Sequence, residues 1–178
     1  MLLGYNTNGF AHHDPFQAIE ILADIGYQSV AITLDQGPLN PFGTGFLTNL
    51  QRLKELLERR NLQAVIETGA RFLLDPWQKH EPTLMSADQT KRQQRIDFLR
   101  TAIDAAAYLN LDVVSLWSGT LREPCATDVA LERLASGLRQ VLQHATEQGI
   151  QIGFEPEPGM FIDTMSSFHR LLQWIDVP

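Results

Sequence analysis

The sequence lacks the features of secreted, membrane and disulfide-bonded proteins. Its 178 residues include one cysteine, Cys125, so no internal disulfide can form and a reducing compartment is favoured. The first ten residues have neither the basic region nor the apolar run of a signal peptide. No segment approaches the roughly 18 apolar residues of a membrane helix. We therefore expect a soluble, cytoplasmic protein with no membrane partner.

Basic residues are also in the minority. Fourteen Lys and Arg against 21 Asp and Glu give a net charge of -7, which argues against nucleic acid as a partner. A chain of this length with 44% hydrophobic residues can bury the core of one domain. We therefore expect residues 1–178 to form a single domain.

Short apolar runs recur along the chain and predict strands. They contain β-branched residues and lie next to Gly, Asn or Pro, as expected of buried strands. The five predicted strands are Leu2–Tyr5, Ser29–Leu34, Gln63–Ile66, Asp112–Trp117 and Ile150–Phe154.

Longer segments with helical spacing separate these runs. Asp14 and Pro15 are typical of a helix N-cap and first helical residue, and Gly26 is typical of a helix end. The apolar side of this first helix is predicted to comprise Phe16, Ile19, Ile21, Leu22 and Ile25. The other predicted helices begin near Asn49, Asp88, Thr127 and Asp163, and the fourth ends at Gln148. The apolar residues of the last predicted helix are Phe168, Leu171, Leu172, Trp174 and Ile175.

Alternation of strand and helix, five times over, predicts an α/β fold with a parallel sheet. The repeat is roughly 35 residues, and eight repeats would need roughly 280, within the usual range of a (β/α)8 TIM barrel. We therefore expect about five βα units of such a barrel, with the helices outside, and a sixth strand would be due after Pro178. An open doubly wound sheet is the alternative, but residues 4–9 match its Gly-rich phosphate loop poorly.

Polar residues follow every predicted strand, at the end where TIM barrels carry their catalytic residues. They are Asn6 and Asn8, Thr33 and Asp35, Glu67, Ser118, and finally Glu155 and Glu157. Carboxylates in an apolar barrel mouth require a cation or a proton. Each residue taken alone could be a solvated loop group, but the set together predicts a functional site.

The order of these motifs resembles the xylose-isomerase-like TIM-barrel superfamily of sugar isomerases, epimerases and polyol dehydratases. The resemblance rests on L-G-Y-N-T-N at the start, then V-A-I-T-L-D, V-V-S-L-W-S-G and I-G-F-E-P. It covers the whole chain, as the N-terminal five-eighths of the family's barrel. In that family a glutamate ending the fifth strand binds a divalent metal and often transfers protons, and Glu155 matches its place. The other ligands, usually Asp, His and Glu, come from strands six to eight.

The resemblance implies that Glu155 is both a metal ligand and the catalytic residue, with Mn, Mg or Zn as cofactor. The implied reaction is isomerisation or epimerisation of a sugar, sugar phosphate or related polyol, by proton transfer next to a carbonyl. Pro156 would fix the backbone that aims this carboxylate. The residues predicted to bind substrate are Asn6, Asn8, Glu67, Arg71, Lys79, His80, Ser118 and Glu157.

A long irregular segment, roughly 69–87, follows the third predicted strand and carries three cation-capable residues, Arg71, Lys79 and His80. They would be natural partners of an anionic substrate. The alternatives are a surface loop of mixed charge, which would account for Lys79, and an ion pair between Arg71 and Glu67, four residues earlier.

Two other functions stay open at this stage. Endonuclease IV-like enzymes share the barrel and cleave DNA, but they draw on histidines at early strand ends, where this acidic chain has Asp35 and Glu67. The second alternative is a non-catalytic partial barrel that assembles with another subunit, including a second copy of this chain. Five units cannot close an eight-stranded barrel, and open sheet edges need cover.

Overall fold

The computed structural model describes residues 2–175, in which five parallel strands form one sheet in sequential order. The strands are β1 (Gly4–Asn6), β2 (Ser29–Thr33), β3 (Gln63–Glu67), β4 (Val113–Leu116) and β5 (Gln151–Phe154). A sequential parallel order is that of a TIM barrel, whereas the strand order of a doubly wound sheet reverses at a switch point. The predicted α/β fold, with five βα units of a TIM barrel, is confirmed.

A helix follows each strand. The helices are α1 (Pro15–Ile25), α2 (Phe46–Arg60), α3 (Gln89–Tyr108), α4 (Thr127–Gln148) and α5 (Met165–Ile175). The fourth has the predicted bounds. The second begins earlier than predicted because buried Phe46 anchors its first turn, and the fifth begins later, at Met165.

The ends of α1 follow from its flanking residues. The carboxylate of Asp14 accepts hydrogen bonds from the backbone amides of Phe16 and Gln17, two amides that the helix itself cannot satisfy. Gly26 adopts the left-handed region at φ 104° and donates its amide to the Ala23 carbonyl. A residue with a Cβ is strained in that region, so the helix ends there.

Replacing Asp14 with alanine is expected to lower the free energy of unfolding by about 1 kcal/mol, because both amides lose their acceptor. Asp14→Asn keeps a side-chain acceptor and should cost much less. Urea denaturation of the three proteins measures both effects. An alanine variant as stable as the wild type would show that this cap contributes nothing.

The two faces of the sheet differ in character, because alternate residues of a strand point to opposite faces. The face that packs against the helices carries buried apolar residues such as Ile32, Ile66 and Val114. A row of four residues in matching register lies on the opposite face: Thr33, Glu67, Ser115 and Gly153. The polar end of the sheet therefore gathers side chains from three strands at one level, and Gly153 of β5 leaves the fourth position without one.

The core lies between the sheet and its helices. Its fully buried members include Ile19, Leu53, Phe98, Ile103 and Leu134, from α1 to α4. Three residues predicted on apolar sides, Ile21, Ile25 and Leu172, are instead exposed. Over the same residues, the helices lack the combination of length and hydropathy that a membrane span requires.

Candidate active site

Two separate sets of hydrogen bonds link the polar side chains at the carboxyl ends of the strands. The Thr33 hydroxyl donates to Glu67 Oε2 at 2.8 Å and also lies 3.2 Å from Asn6 Oδ1. The Ser115 hydroxyl donates to Glu155 Oε1. Glu155 directly follows β5, and its amide donates to the Leu116 carbonyl at 2.8 Å. Two carboxylates from β3 and β5 thus lie at one edge, each oriented by a hydroxyl from the neighbouring strand.

Glu67 is the more buried of the two carboxylates. Burial raises its pKa above the ordinary value, and repulsion by Glu155 raises it further. Hydrogen bonds from the Thr33 hydroxyl and the Gly69 amide, and attraction to Arg95, act in the opposite direction and stabilise the charged form. The net effect is a carboxyl group that binds a proton more readily in the folded chain than in the unfolded one.

Glu67→Gln is therefore expected to change the pH dependence of stability. A raised folded pKa means that the group favours folding below its unfolded pKa of roughly 4.3, and that this contribution is lost as pH rises through the folded pKa. The free energy of unfolding of the variant, relative to wild type, should therefore increase from pH 4 towards neutral pH. Urea denaturation across this range, with exposed Glu58→Gln as control, measures it. A difference that is flat, or that falls with pH, would contradict the raised pKa.

The segment after Glu155 forms a closed turn. The Glu157 amide donates to the Ile162 carbonyl at 3.2 Å, and the Glu157 carbonyl accepts from the Met160 amide at 3.0 Å. Gly159 has φ 88° within this turn. Glu157 is half-buried, and its backbone rather than its side chain makes the turn.

Ser118, predicted to bind substrate, attaches this turn to the end of β4. Its hydroxyl donates to the Gly119 carbonyl at 3.0 Å and accepts from the Ile162 amide at 3.0 Å. The side chain is 2% exposed, so it lies in the wall of the site. Ser115, which was not among the predicted residues, is the serine that contacts Glu155.

Arg71 does not pair with Glu67 but with Asp35. Its Nε donates to Asp35 Oδ2 at 2.5 Å, and the Asp35 side chain is buried. Both residues line a small cleft of about 60 Å³, together with Thr33 and Asn8. The backbone amide of Asn8 donates to Asn6 Oδ1, and Asn8 lines this cleft next to Thr33.

His80 fastens the loop between β3 and α3. Its backbone adopts φ 68°, its amide donates to the Arg71 carbonyl at 2.6 Å, and its Nδ1 lies 2.7 Å from the Gly69 carbonyl oxygen. A carbonyl only accepts, so Nδ1 carries the proton and Nε2 is an acceptor in the neutral ring. Burial lowers the pKa of His80, and the charges of Lys79, Arg95 and Arg71 lower it further. His80 is therefore neutral at pH 7.

The remaining predicted residue, Lys79, lies outside this arrangement, as do three aromatic side chains of the loops that follow β1 and β3. Lys79 is exposed, and its carbonyl accepts from Arg122 Nη2 at 3.5 Å. Trp77 is 90% exposed. His12 and His13 are exposed, and the His13 ring packs edge-on against Phe10. The structure thus brings together Asn6, Asn8, Glu67, Arg71 and Glu155. His80 lies next to them in the loop between β3 and α3, where it contacts Gly69 and Arg71.

Metal binding depends on how many donor side chains lie together. Residues 2–175 contain no group of three or more His, Cys, Asp or Glu side chains arranged to hold a metal ion. Glu155 has the oxygen donors that Mg²⁺ and Mn²⁺ prefer, but a complete site requires more ligands than this one carboxylate. The described residues therefore do not form a metal centre by themselves.

Sequence and structure comparisons agree on the fold. A family model described as a xylose isomerase-like TIM barrel matches residues 19–178. No curated protein matches the sequence.

Solved structures of sugar epimerases are similar to the chain. A D-tagatose 3-epimerase-like protein shares 21% identity at a TM-score of 0.77, over 99% of this chain and 61% of that one. D-allulose 3-epimerase from Methylomonas sp. shares 18% identity at a TM-score of 0.75, over 100% and 60%. For 3-keto-D-glucoside 4-epimerase from E. coli the identity is 15% and the TM-score 0.78, over 100% and 65%. The chain thus spans about three fifths of the length of these proteins, and at such identities the likeness shows the fold.

Proposed function

This chain belongs to the xylose isomerase-like TIM-barrel family, and from that premise we propose that it acts in the isomerisation or epimerisation of a sugar. The observation that carries the proposal is the pair of hydroxyl-oriented carboxylates, Glu67 and Glu155, at the carboxyl edge of the sheet. The structural likeness to proteins named as sugar 3- and 4-epimerases supports it. We propose that residues 1–178 form one domain, the N-terminal part of such a barrel.

The proposed reaction is proton transfer at the carbon next to a carbonyl. Glu155 takes this proton from one face, and delivery of a proton to the opposite face of the same carbon, by an acid on that side, gives the epimer. Return of the proton from Glu155 to the neighbouring carbon, with a second proton passing from the hydroxyl oxygen to the carbonyl oxygen, gives the isomer. The Ser115 hydroxyl holds the carboxylate in place, and Glu67, Asn6 and Asn8 bind the hydroxyl groups of the sugar. Glu67 suits this task because a carboxyl with a raised pKa can accept or donate a hydrogen bond.

The charges around the site favour an unphosphorylated sugar over a sugar phosphate. Arg71 is paired with buried Asp35, so its charge is already compensated. His80 is neutral at pH 7 and offers an acceptor rather than a cation. A phosphate would need positive donors at this edge, whereas sugar hydroxyls suit the carboxylates and amides found there.

We propose that Glu155 is one ligand of a divalent cation, Mn²⁺, Mg²⁺ or Zn²⁺, whose other ligands lie outside the described residues. Such a cation, when bound, polarises the carbonyl oxygen and makes the neighbouring C–H more acidic. The likeness to sugar epimerases motivates this assignment, and the carboxylate chemistry of Glu155 is compatible with it.

Deuterium exchange tests the proposed function directly. The chain is incubated in D₂O with Mn²⁺ and, separately, D-allulose, D-tagatose or D-fructose, and NMR follows deuterium at the carbon next to the carbonyl. We expect incorporation with at least one free sugar, little with its phosphorylated counterpart, and loss of exchange when EDTA removes the metal. Absence of both exchange and sugar binding would reject a catalytic role for this chain.

A second proposal, assembly without catalysis, is supported by the open sheet. Within residues 2–175, β1 and β5 each pair with a strand on one side only, and open edges template association. Sedimentation analysis distinguishes the two proposals. A stable oligomer without sugar exchange favours assembly, and a monomer that catalyses exchange excludes it.

A further inference from the structure

Arg95 is a charged side chain at a core position of α3. It lies three residues before Phe98 and four before Leu99, on the same helix face, and is 3% exposed. Its pKa falls to about 10 because of burial, so it stays charged at neutral pH. A buried charge is costly unless other groups compensate it, so the contacts of this guanidinium indicate why it is there.

The contacts of Arg95 join three elements. Nη2 donates to the Thr68 carbonyl, just past β3, at 2.9 Å. The guanidinium carbon lies 5.4 Å from the ring centroid of Trp117, just past β4, and 5.3 Å from that of Phe98. Nη1 has no hydrogen-bond partner within residues 2–175, and the ion pairs found there do not include Arg95. Its compensation therefore comes from one carbonyl, two aromatic faces and the more distant charges of Glu67 and Glu81.

The Trp117 ring connects Arg95 to the loop between β3 and α3. It packs edge-on against the His80 ring, with centroids 5.1 Å apart. His80 in turn holds the Gly69 and Arg71 carbonyls, and Arg71 reaches Asp35 at the end of β2. A continuous series of contacts thus runs from Arg95 to the strand ends.

We propose that Arg95 is a positioning residue: through the Thr68 carbonyl and the Trp117 ring it fixes the loop that presents His80 and Arg71 to the substrate. The link to substrate rests on the proposed function, whereas the positioning itself does not. Both contacts need a planar, delocalised cation, which can donate in its plane and stack through its faces. Lysine has the charge but not the plane, so it cannot replace both contacts.

The test uses Arg95→Lys and Arg95→Met, with Arg100→Met as the matched control. Arg100 lies on the same helix, and its Nε is also buried without a partner in the described part of the chain. Two NMR readouts follow the loop without substrate: the indole resonance of Trp117, and hydrogen exchange of the His80 amide that donates to Arg71. Exchange of the Leu57 amide in α2 reports general stability.

Both Arg95 variants are expected to shift the Trp117 resonance. They should also speed exchange at His80 at least threefold more than at Leu57. Arg100→Met should leave that ratio unchanged. If Arg95→Met does not fold, Arg95→Lys decides. An unchanged Trp117 resonance and His80 exchange in the lysine variant would overturn the proposal, and so would equal acceleration at His80 and Leu57. These readouts require no turnover, so a failed epimerase assay leaves the result intact.

Discussion

Ile103→Ala is expected to lower the free energy of unfolding by about 3 kcal/mol. Ile103 is 0% exposed in the core between α3 and its neighbours. The change removes the apolar contacts of three carbon atoms and leaves a cavity that rigid surroundings fill only in part. Domains of this size are typically stable by about 5–15 kcal/mol, so a large fraction of the total would be lost.

Ile25→Ala is the matched control, since it makes the same chemical change in a helix. Ile25 is 67% exposed, so little apolar surface is returned to water and alanine has the higher helix propensity. We expect a change within about 0.5 kcal/mol. Urea denaturation with a common m-value measures both variants. Similar losses from the two would mean that Ile103 of α3 is not buried against its neighbours as the structure indicates.

The order of the elements could be predicted from the sequence because it depends on local signals. Thr127–Gln148 has apolar residues at helical spacing and a following glycine, and its predicted bounds are those of α4. Exposure at the helix ends could not be predicted in the same way. Ile25 continues the apolar spacing of α1, but no element in residues 2–175 lies over that last turn.

The strand-end site was predictable in outline for a geometric reason. The carboxyl ends of parallel strands lie at one edge, so Glu67 and Glu155 had to be near each other once the strands were assigned. The partners of each side chain depend on distances across strands, which local patterns do not contain. For this reason Arg71 could be assigned to a cationic loop, but not to Asp35.

The sequence of α3 contained a signal for the role of Arg95. A charged residue occupies the apolar repeat that Phe98, Leu99 and Ala102 continue, so it breaks the helix's own pattern. Such a break indicates a buried charge with a specific task. The identity of its contacts, Thr68 and Trp117, became visible only with the fold.

Under the proposed function, Glu155→Gln is expected to lower kcat for sugar epimerisation by about 10³, because an amide cannot take the proton from carbon. The fold should be retained, since a glutamine oxygen still accepts the Ser115 hydrogen bond that the carboxylate accepts now. Steady-state kinetics and deuterium exchange measure the loss. Glu157→Gln is the matched control, two residues along the chain, and should lose far less. Equal losses from both variants would remove the special role of Glu155.

The same variant separates the two roles proposed for Glu155. If the carboxylate moves the proton, raising the Mn²⁺ concentration cannot restore exchange in Glu155→Gln, because the missing group is the base. If it only binds the cation, the weaker site refills at high Mn²⁺ and exchange returns. Ser115→Ala should behave differently from both, since it leaves the base and removes only the hydroxyl that orients it. Its kcat should fall less than that of Glu155→Gln and should not respond to added metal.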